Sequence, residues 1–330
     1  MSTVVVVGSN SFSGSHFIDF LLEKTKYEIV GISRSPEKSP MFLPYKRNKN
    51  STRFTFYQLD LNRDMDAIIN LCNQHKPAYV VNFASQSEVA ASWNNPAHWY
   101  RTNVLSTIDF IEELKLKNYL KKYVHISTPE VYGTCSGRVQ ESTIFNPSTP
   151  YAGSRAAADQ FILMQVKKFN FPAVFTRAAN VYGAGQQLFK IIPRSIIYIK
   201  KSKKIPLHGG GAAKRSFIHI KDVCGATLSI MEKAPHGEIY HLSTDTLTQI
   251  KDIVREISNK LNVKFEEVTE NVPERLGLDD AYILDSSKAK REFGWYPKIN
   301  LDEGLDEVIQ WINANWSAIN NEPLEYVHKE

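Results

Sequence analysis

Thr128, Glu130 and Tyr151 are the residues of this chain whose types and spacing offer the most chemistry. Ile126-Ser-Thr-Pro-Glu-Val-Tyr-Gly133 closes an apolar run, and Tyr151-Ala-Gly-Ser-Arg155 opens a helical one. A strand end facing a helix start would gather a hydroxyl, a carboxylate and a phenol. Tyr151 and Arg155 are four residues apart, so they share a helix face. A cation beside a phenol stabilises phenolate and lowers its pKa. Tyr151 is therefore a candidate base for a sugar hydroxyl, with hydride departing to a nicotinamide. Thr128 could hydrogen-bond the same hydroxyl, and Glu130 could take a proton from the carbon beside the new ketone.

Such a site needs a hydride acceptor, and the first residues supply a place for one. Gly8-Ser-Asn-Ser-Phe-Ser-Gly14 follows a β-branched run and opens a helical pattern. In that context Gly8, Ser11, Phe12 and Gly14 would set a pyrophosphate on a helix N-terminus, whose N–H groups and dipole favour anions. Ser11 stands where a G-x-x-G-x-x-G spacing has its middle glycine. The second apolar run ends Gly31-Ile-Ser-Arg34-Ser, with no carboxylate. An acidic residue there would bind a ribose 2′-hydroxyl, whereas an arginine accommodates a 2′-phosphate. The expectation is NADP, with NAD second. Asp60, after the third strand, could accept from the adenine edge or cap a helix.

The elements that must position these groups alternate. Strands are expected at Thr3–Val7, Tyr27–Ser33, Phe54–Leu59, Tyr79–Ala84, Tyr123–Ser127 and Ala173–Arg177. Helices are expected at Phe12–Lys24, Asp64–His75, Ala97–Leu116 and Tyr151–Phe169. This alternation predicts an α/β fold, a Rossmann-type doubly wound parallel sheet with helices on both faces. Beyond about Asn180 the rhythm loosens, with short strands such as Glu238–Leu242 and a last clear helix at Leu301–Asn315. The expected division is a dinucleotide-binding domain at 1–180 and a smaller mixed α/β substrate lobe at 181–330, with some chain crossing back over the strand ends, where open sheets bind ligands.

The segments together resemble the extended branch of the short-chain dehydrogenase/reductase family, and within it the nucleotide-sugar 4,6-dehydratases. The resemblance runs from Val4 to about Asn315. Asn82-Phe-Ala-Ser-Gln-Ser-Glu-Val-Ala-Ala-Ser-Trp93 with Thr102-Asn103-Val104 is similar to a loop and helix start of dTDP-glucose and GDP-mannose 4,6-dehydratases. Arg177-Ala-Ala-Asn180-Val-Tyr-Gly183 resembles the segment whose Asn meets substrate. Lys190-Ile-Ile-Pro193, Gly209 to Arg215 with Asp222, and Glu274-Arg275-Leu-Gly277 resemble the diphosphate clamp. Ser287 to Trp295 is similar to a C-terminal signature. The resemblance implies cofactor contacts at Leu61, Ala84, Asn103, Tyr151 and Arg155, and substrate contacts at Ser87, Glu88, Asn180, Lys190, Arg215 and Arg275. It implies conversion of a nucleotide-activated hexose to its 4-keto-6-deoxy derivative, with hydride held on bound cofactor and returned. Two positions depart from the family pattern: Arg155 stands where it has Lys, and Pro129 where the dTDP-glucose enzymes have a proton-donating Asp.

Other readings share these motifs: a 4-epimerase, a uronate decarboxylase, a 5,6-dehydratase, or a non-catalytic NADP or sugar-nucleotide binder. The whole-chain properties narrow the rest. The 330 residues carry a net charge of +5 and 42% hydrophobic residues, the composition of a globular chain. The basic residues from Arg34 to Arg53 match no known nucleic-acid-binding module and read as a solvated loop, so no nucleic-acid partner is expected. No apolar run reaches membrane-spanning length, and no secretory signal is expected. Cys72, Cys135 and Cys224 have no metal or redox spacing and suit a reducing cytoplasm. No metal is expected. The Ala97–Leu116 and Tyr151–Phe169 helices correspond to a dimer interface in similar proteins, so a homodimer or a higher homo-oligomer is expected. Trp93, Trp99 and Trp295 are expected to be packing residues.

Overall fold

The computed structural model of the protein describes residues 2–273 and 283–329. Its centre is a sheet of seven parallel strands: β1 (Thr3–Val7), β2 (Glu28–Ser33), β3 (Phe54–Gln58), β4 (Tyr79–Asn82), β5 (Lys122–Ile126), β6 (Ala173–Ala178) and β7 (Ile239–Leu242). Their spatial order is β7-β6-β5-β4-β1-β2-β3, so the winding reverses between β1 and β4. A crevice at the carboxyl ends beside such a reversal is where doubly wound sheets take ligands.

The run of valines in β1 shows why the sheet is covered on both sides. Alternate side chains of a strand leave by opposite faces. Val4 and Val6 pack into one core layer, with Phe17, Leu21 and Leu22 of α1 (Phe12–Lys24). Val5 and Val7 enter the other layer, with Ile68 of α2 (Met65–His75), Phe110 and Leu114 of α3 (Ser106–Leu114) and Ile162 of α4 (Pro150–Phe169). A strand without a solvent face tolerates no polar alternation, which is the pattern of a buried parallel strand.

Beyond β6 the chain builds a second core from α5 (Ile191–Lys200), α7 (Ile250–Lys260) and α8 (Leu301–Ala314), between which comes α6 (Ile220–Lys233). Ile192, Ile196, Ile253, Leu305 and Ile312 meet there. Asn300 and Glu303 close a capping box at the start of α8. Short two-stranded pairs complete this half, among them Asn180–Tyr182 with Phe217–His219. No helix among the described residues is long and apolar enough to cross a membrane.

Three local expectations are corrected. Glu238–Leu242, read as part of the looser second half, is the seventh strand of the central sheet, paired with β6 from Ile239↔Phe175 to Leu242↔Ala178. Residues of α6 join the core layer of α1 on the same face. Second, the single helix expected at Ala97–Leu116 is broken in pitch: Pro96–Tyr100 is α-helical, Arg101–Leu105 is a π turn, and α3 follows. Third, Trp93 does not pack, being 58% exposed, whereas Trp99 and Trp295 are buried.

Several buried histidines tie the elements together. His16 of α1 donates to the Ala184 carbonyl at 2.8 Å, and burial lowers its pKa to about 4. His241 of β7 is lowered to about 3 by burial and then by Arg177. His125 of β5 is held well below its ordinary value by burial, then by Arg155 and Arg177. With the folded pKa below the unfolded one, the unfolded chain binds more protons, so stability rises with pH across that interval. Urea midpoints should therefore be flat above about pH 7 and fall steadily as pH drops from the ordinary histidine value of about 6.5 toward about 4. His16→Asn should shallow that fall; an unchanged slope would show that His16 is not buried as the neutral form.

Candidate active site

A cavity of about 530 Å³ opens at the carboxyl ends of the strands, between the loops after β1, β4, β5 and β6 and the second half of the chain. At its floor, Gly8 follows β1 with φ at +83°. This is the left-handed region that favours glycine. A Cβ on Gly8 would lie 2.6 Å from the Ala84 amide nitrogen, so the loops after β1 and β4 touch at the reversal point. Ser11 caps α1, its hydroxyl accepting from the Gly14 amide at 3.0 Å. A Cβ on Gly14 would sit 2.3 Å from the Gly8 carbonyl oxygen. Serine in the middle position is thus a helix cap, and the turn still needs its two flanking glycines. The first turn of a helix leaves amides without intrahelical partners. Those of Phe12 and Ser13 belong to residues lining the cavity. The cradle fits a pyrophosphate.

Thr128, Glu130 and Tyr151 are brought together as expected, all three lining this cavity. Thr128 ends the β5 segment and caps a short turn, Pro129–Tyr132; its Oγ1 accepts from the Glu130 amide at 3.3 Å. Pro129 occupies the first position of that turn, where its missing N–H costs nothing. Tyr151 is at the first turn of α4, capped by Thr149, whose hydroxyl accepts from the Ala152 amide at 3.1 Å. Thr128 lies beside the Tyr151 phenol and acts on it.

Arg155 does not take the expected position. Its guanidinium is buried and turns under β5, donating to His125 Nε2 at 3.0 Å and to the Ile126 carbonyl. It does not line the cavity. The phenol of Tyr151 is not lowered either. Burial, then the carboxylate of Glu130, push it up to about 12, against smaller downward pulls from Arg155 and Thr128.

Beneath the cavity lies a charged network that the sequence reading missed. Asp159, one turn beyond Arg155 on α4, accepts from Ser127 Oγ at 2.6 Å and from Arg177 Nη2 at 2.8 Å. Its other oxygen is 3.4 Å from His125 Nε2. Arg177 also donates to the Tyr132 hydroxyl and to the Ser142 carbonyl. The i, i+4 and i, i+8 spacing from Tyr151 through Arg155 to Asp159 was the available signal. A polar residue repeating on the buried face of a helix needs a buried partner.

The remaining candidates divide. Ser87, Asn180, Lys190 and Arg215 line the cavity. Asn180 donates to the Ser216 carbonyl at 3.2 Å, and Arg215 to that of Lys214 at 2.7 Å. Glu88 reaches across to the ammonium of Lys190. Arg34 follows β2; its carbonyl accepts from Gln58 at 3.3 Å, and its charge acts on Tyr326. Asp60 accepts from the Asn62 amide at 2.9 Å in the turn after β3, and Asp64 rather than Asp60 stands at the N-cap of the next helix. Leu61 is packed in the core. Asn103 is fully buried at the π turn and faces protein on every side. Its Oδ1 accepts from the Gln86 amide at 2.8 Å, and its Nδ2 donates to the Gln86 carbonyl and to Ser154 Oγ, each at 2.9 Å. Ser154 in turn donates to the Tyr151 carbonyl at 2.7 Å. Asn103 therefore brackets the loop after β4 to the helix that carries Tyr151. Asp222 is likewise structural, accepting from the Ile299 amide at 3.0 Å. Arg275 lies outside the described residues.

Asn103→Leu should leave the Gln86 amide and carbonyl unpaired in a buried place, costing about 1–3 kcal/mol for each group. Hydrogen exchange at residues 85–88 should rise together with the loss of stability; unchanged exchange there would remove the bracket from the account.

Comparison with known proteins agrees with this geometry. Residues 5–308 match the family model of GDP-mannose 4,6 dehydratase. The dTDP-glucose 4,6-dehydratase of Haemophilus influenzae is 28% identical, covering 96% of this chain and all of that protein. The crystal structure of the Bacillus anthracis dTDP-glucose 4,6-dehydratase, in complex with NAD, superposes with a TM-score of 0.87 at 28% identity, over 96% of this chain and 98% of the other. That of the Streptomyces venezuelae dTDP-glucose 4,6-dehydratase, also with NAD bound, gives 0.88 at 26% identity, over the same shares. With a family model spanning most of the chain and a cavity lined by Thr128, Glu130 and Tyr151, the chain belongs to the GDP-mannose 4,6 dehydratase family of nucleotide-sugar 4,6-dehydratases.

Proposed function

We propose that the protein is an NDP-hexose 4,6-dehydratase, a hydro-lyase that converts a nucleotide-activated hexose to its 4-keto-6-deoxy derivative. The observation that carries this is the meeting of Thr128, Glu130 and Tyr151 in one cavity that Lys190 and Arg215 also line. A base for a hydroxyl and a second base for the adjacent carbon are what a dehydration through a ketone requires.

Thr128 holds the sugar 4-hydroxyl against Tyr151. Tyr151 takes its proton as phenolate, the form reached once a cation enters beside the buried phenol. NAD, when bound, would supply the reversible hydride store between C4 and C6 of the sugar. Glu130 removes the C5 proton, made acidic by the 4-ketone, and delivers it to the C6 hydroxyl, which leaves as water. The proton that Tyr151 took from the 4-hydroxyl balances the one that C5 regains from solvent. Pro129 contributes no proton, so Glu130 serves both C5 and the leaving group. Lys190, Arg215 and Arg275 hold the diphosphate through charge-assisted hydrogen bonds. Ser87, Glu88 and Asn180 face the sugar.

NAD replaces NADP as the proposed cofactor. The two crystal structures named above hold NAD. Arg34, the residue that argued for a 2′-phosphate, acts on Tyr326 of the C-terminal segment. The assembly is proposed as a homodimer, supported by the exposed Tyr100, Leu105 and Met164 on the helices at 96–105 and α4. The three free thiols suit a cytoplasmic place.

Incubated with NAD and a panel of dTDP-, GDP-, UDP- and CDP-hexoses, the protein should remove one water from one member without net cofactor reduction, read by mass spectrometry. An isobaric product would instead mean an epimerase, and loss of carbon dioxide from a uronate a decarboxylase. Tyr151→Phe and Glu130→Gln should each lower kcat by about 10²–10⁴. Calorimetric titration should give tighter binding of NAD than NADP, and light scattering the mass of two chains; preference for NADP, or a monomer, would overturn the respective proposal.

A further inference from the structure

The last described residues run back to the active-site rim. Leu324 packs against the second core, which anchors the start of the segment. Tyr326 then meets the Phe189 ring edge-on at a centroid distance of 5.6 Å. Its hydroxyl is 3.1 Å from His328 Nδ1. His328 stacks on buried Trp99, with centroids 4.9 Å apart and planes 9° apart, and its Nε2 lies 2.9 Å from His98 Nδ1. The Lys329 carbonyl accepts from the Gln86 side chain at 2.6 Å.

These contacts join two walls of the cleft. Gln86 precedes Ser87 and Glu88 on the loop after β4, on the dinucleotide side. Phe189 precedes Lys190, on the side of the second core. The Glu88–Lys190 ion pair crosses the same gap. None of the segment's residues lines the cavity, so it runs beside the opening without filling it. Stacked aromatic pairs and buried hydrogen bonds each add a modest stabilisation beyond buried area. Several such contacts are enough to hold a loop but too few to hold a domain.

We propose that the segment Tyr326–Lys329 is a brace that positions the substrate loop Gln86–Glu88 against Phe189–Lys190, and so sets the affinity for the nucleotide sugar and slows the escape of the cofactor. This rests on the dehydratase reading of the cavity. Tyr326, His328 and Lys329 are positioning residues: Lys329 bonds Gln86, Tyr326 and His328 pack on Phe189 and Trp99, and none of the three lines the cavity. An enzyme that takes hydride up and returns it within one cycle gains from holding its cofactor between turnovers, which gives such a brace a use.

Two variants test it: a chain ending at Leu324, and Tyr326→Ala/His328→Ala. Hydrogen exchange reads the brace directly, and amides of residues 85–92 should exchange at least tenfold faster in both. Titration with dTDP, GDP and NAD reads its role. Affinity for the nucleoside diphosphate that wild type binds should fall roughly tenfold, which is 1.4 kcal/mol, and NAD should dissociate faster. KM should rise more than kcat falls, whereas simple unfolding would lower kcat along with the melting transition. Unchanged exchange at 85–92 in both variants would overturn the brace. Faster exchange with unchanged nucleotide and NAD binding would overturn its role. A wild type that binds these probes without dehydrating any hexose would instead refute the dehydratase reading, leaving the exchange result to stand by itself.

Discussion

Asp159 is the one carboxylate on which the arrangement of the site depends. It lies with no exposure against the buried guanidinium of Arg177 and beside His125, which the buried guanidinium of Arg155 also reaches. It bonds Arg177 at the end of β6 and Ser127 at the end of β5, and approaches His125 in β5. Charges taken out of water are costly unless paired and hydrogen-bonded. Removing one partner of such a group commonly costs about 3–5 kcal/mol. The strand ends that carry Thr128 and Asn180 are therefore fixed to the helix that carries Tyr151 by an interaction that has no solvated alternative. Burial, and then the charges of Arg155 and Arg177, hold His125 well below its ordinary pKa.

The substitution of Arg for Lys at 155 follows from the same network. A guanidinium is planar and offers donors in several directions. Here one of its nitrogens reaches both His125 and the Ile126 carbonyl, the last residue of β5. The charge remains near Tyr151 and still lowers its pKa, yet burial and Glu130 outweigh it.

Much of this was legible in the sequence because it is local. Thr3–Val7 had to be a doubly buried strand, Gly8 and Gly14 had to flank a tight turn, and Thr128, Glu130 and Tyr151 followed from where β5 ends and α4 begins. What stayed hidden depends on long-range placement. Ile239–Leu242 is too short to announce that it crosses back to pair with β6. Asn103 reads as a cofactor contact until the π turn points it at Gln86. Arg34 argued for a phosphate on the strength of its charge alone, while that charge acts on Tyr326, some 290 residues on. Trp93 had an apolar side chain and no partner that periodicity could reveal.

The central claim is that hydride leaves C4 and returns to C6 of the same sugar within one closed cleft. The most direct test uses the accepted nucleotide hexose deuterated at C4, with the product analysed by NMR and mass spectrometry. The account predicts that the deuterium is found at C6 of the 4-keto-6-deoxy product, with none in free cofactor. Deuterium retained at C4, or released into the cofactor pool, would contradict it.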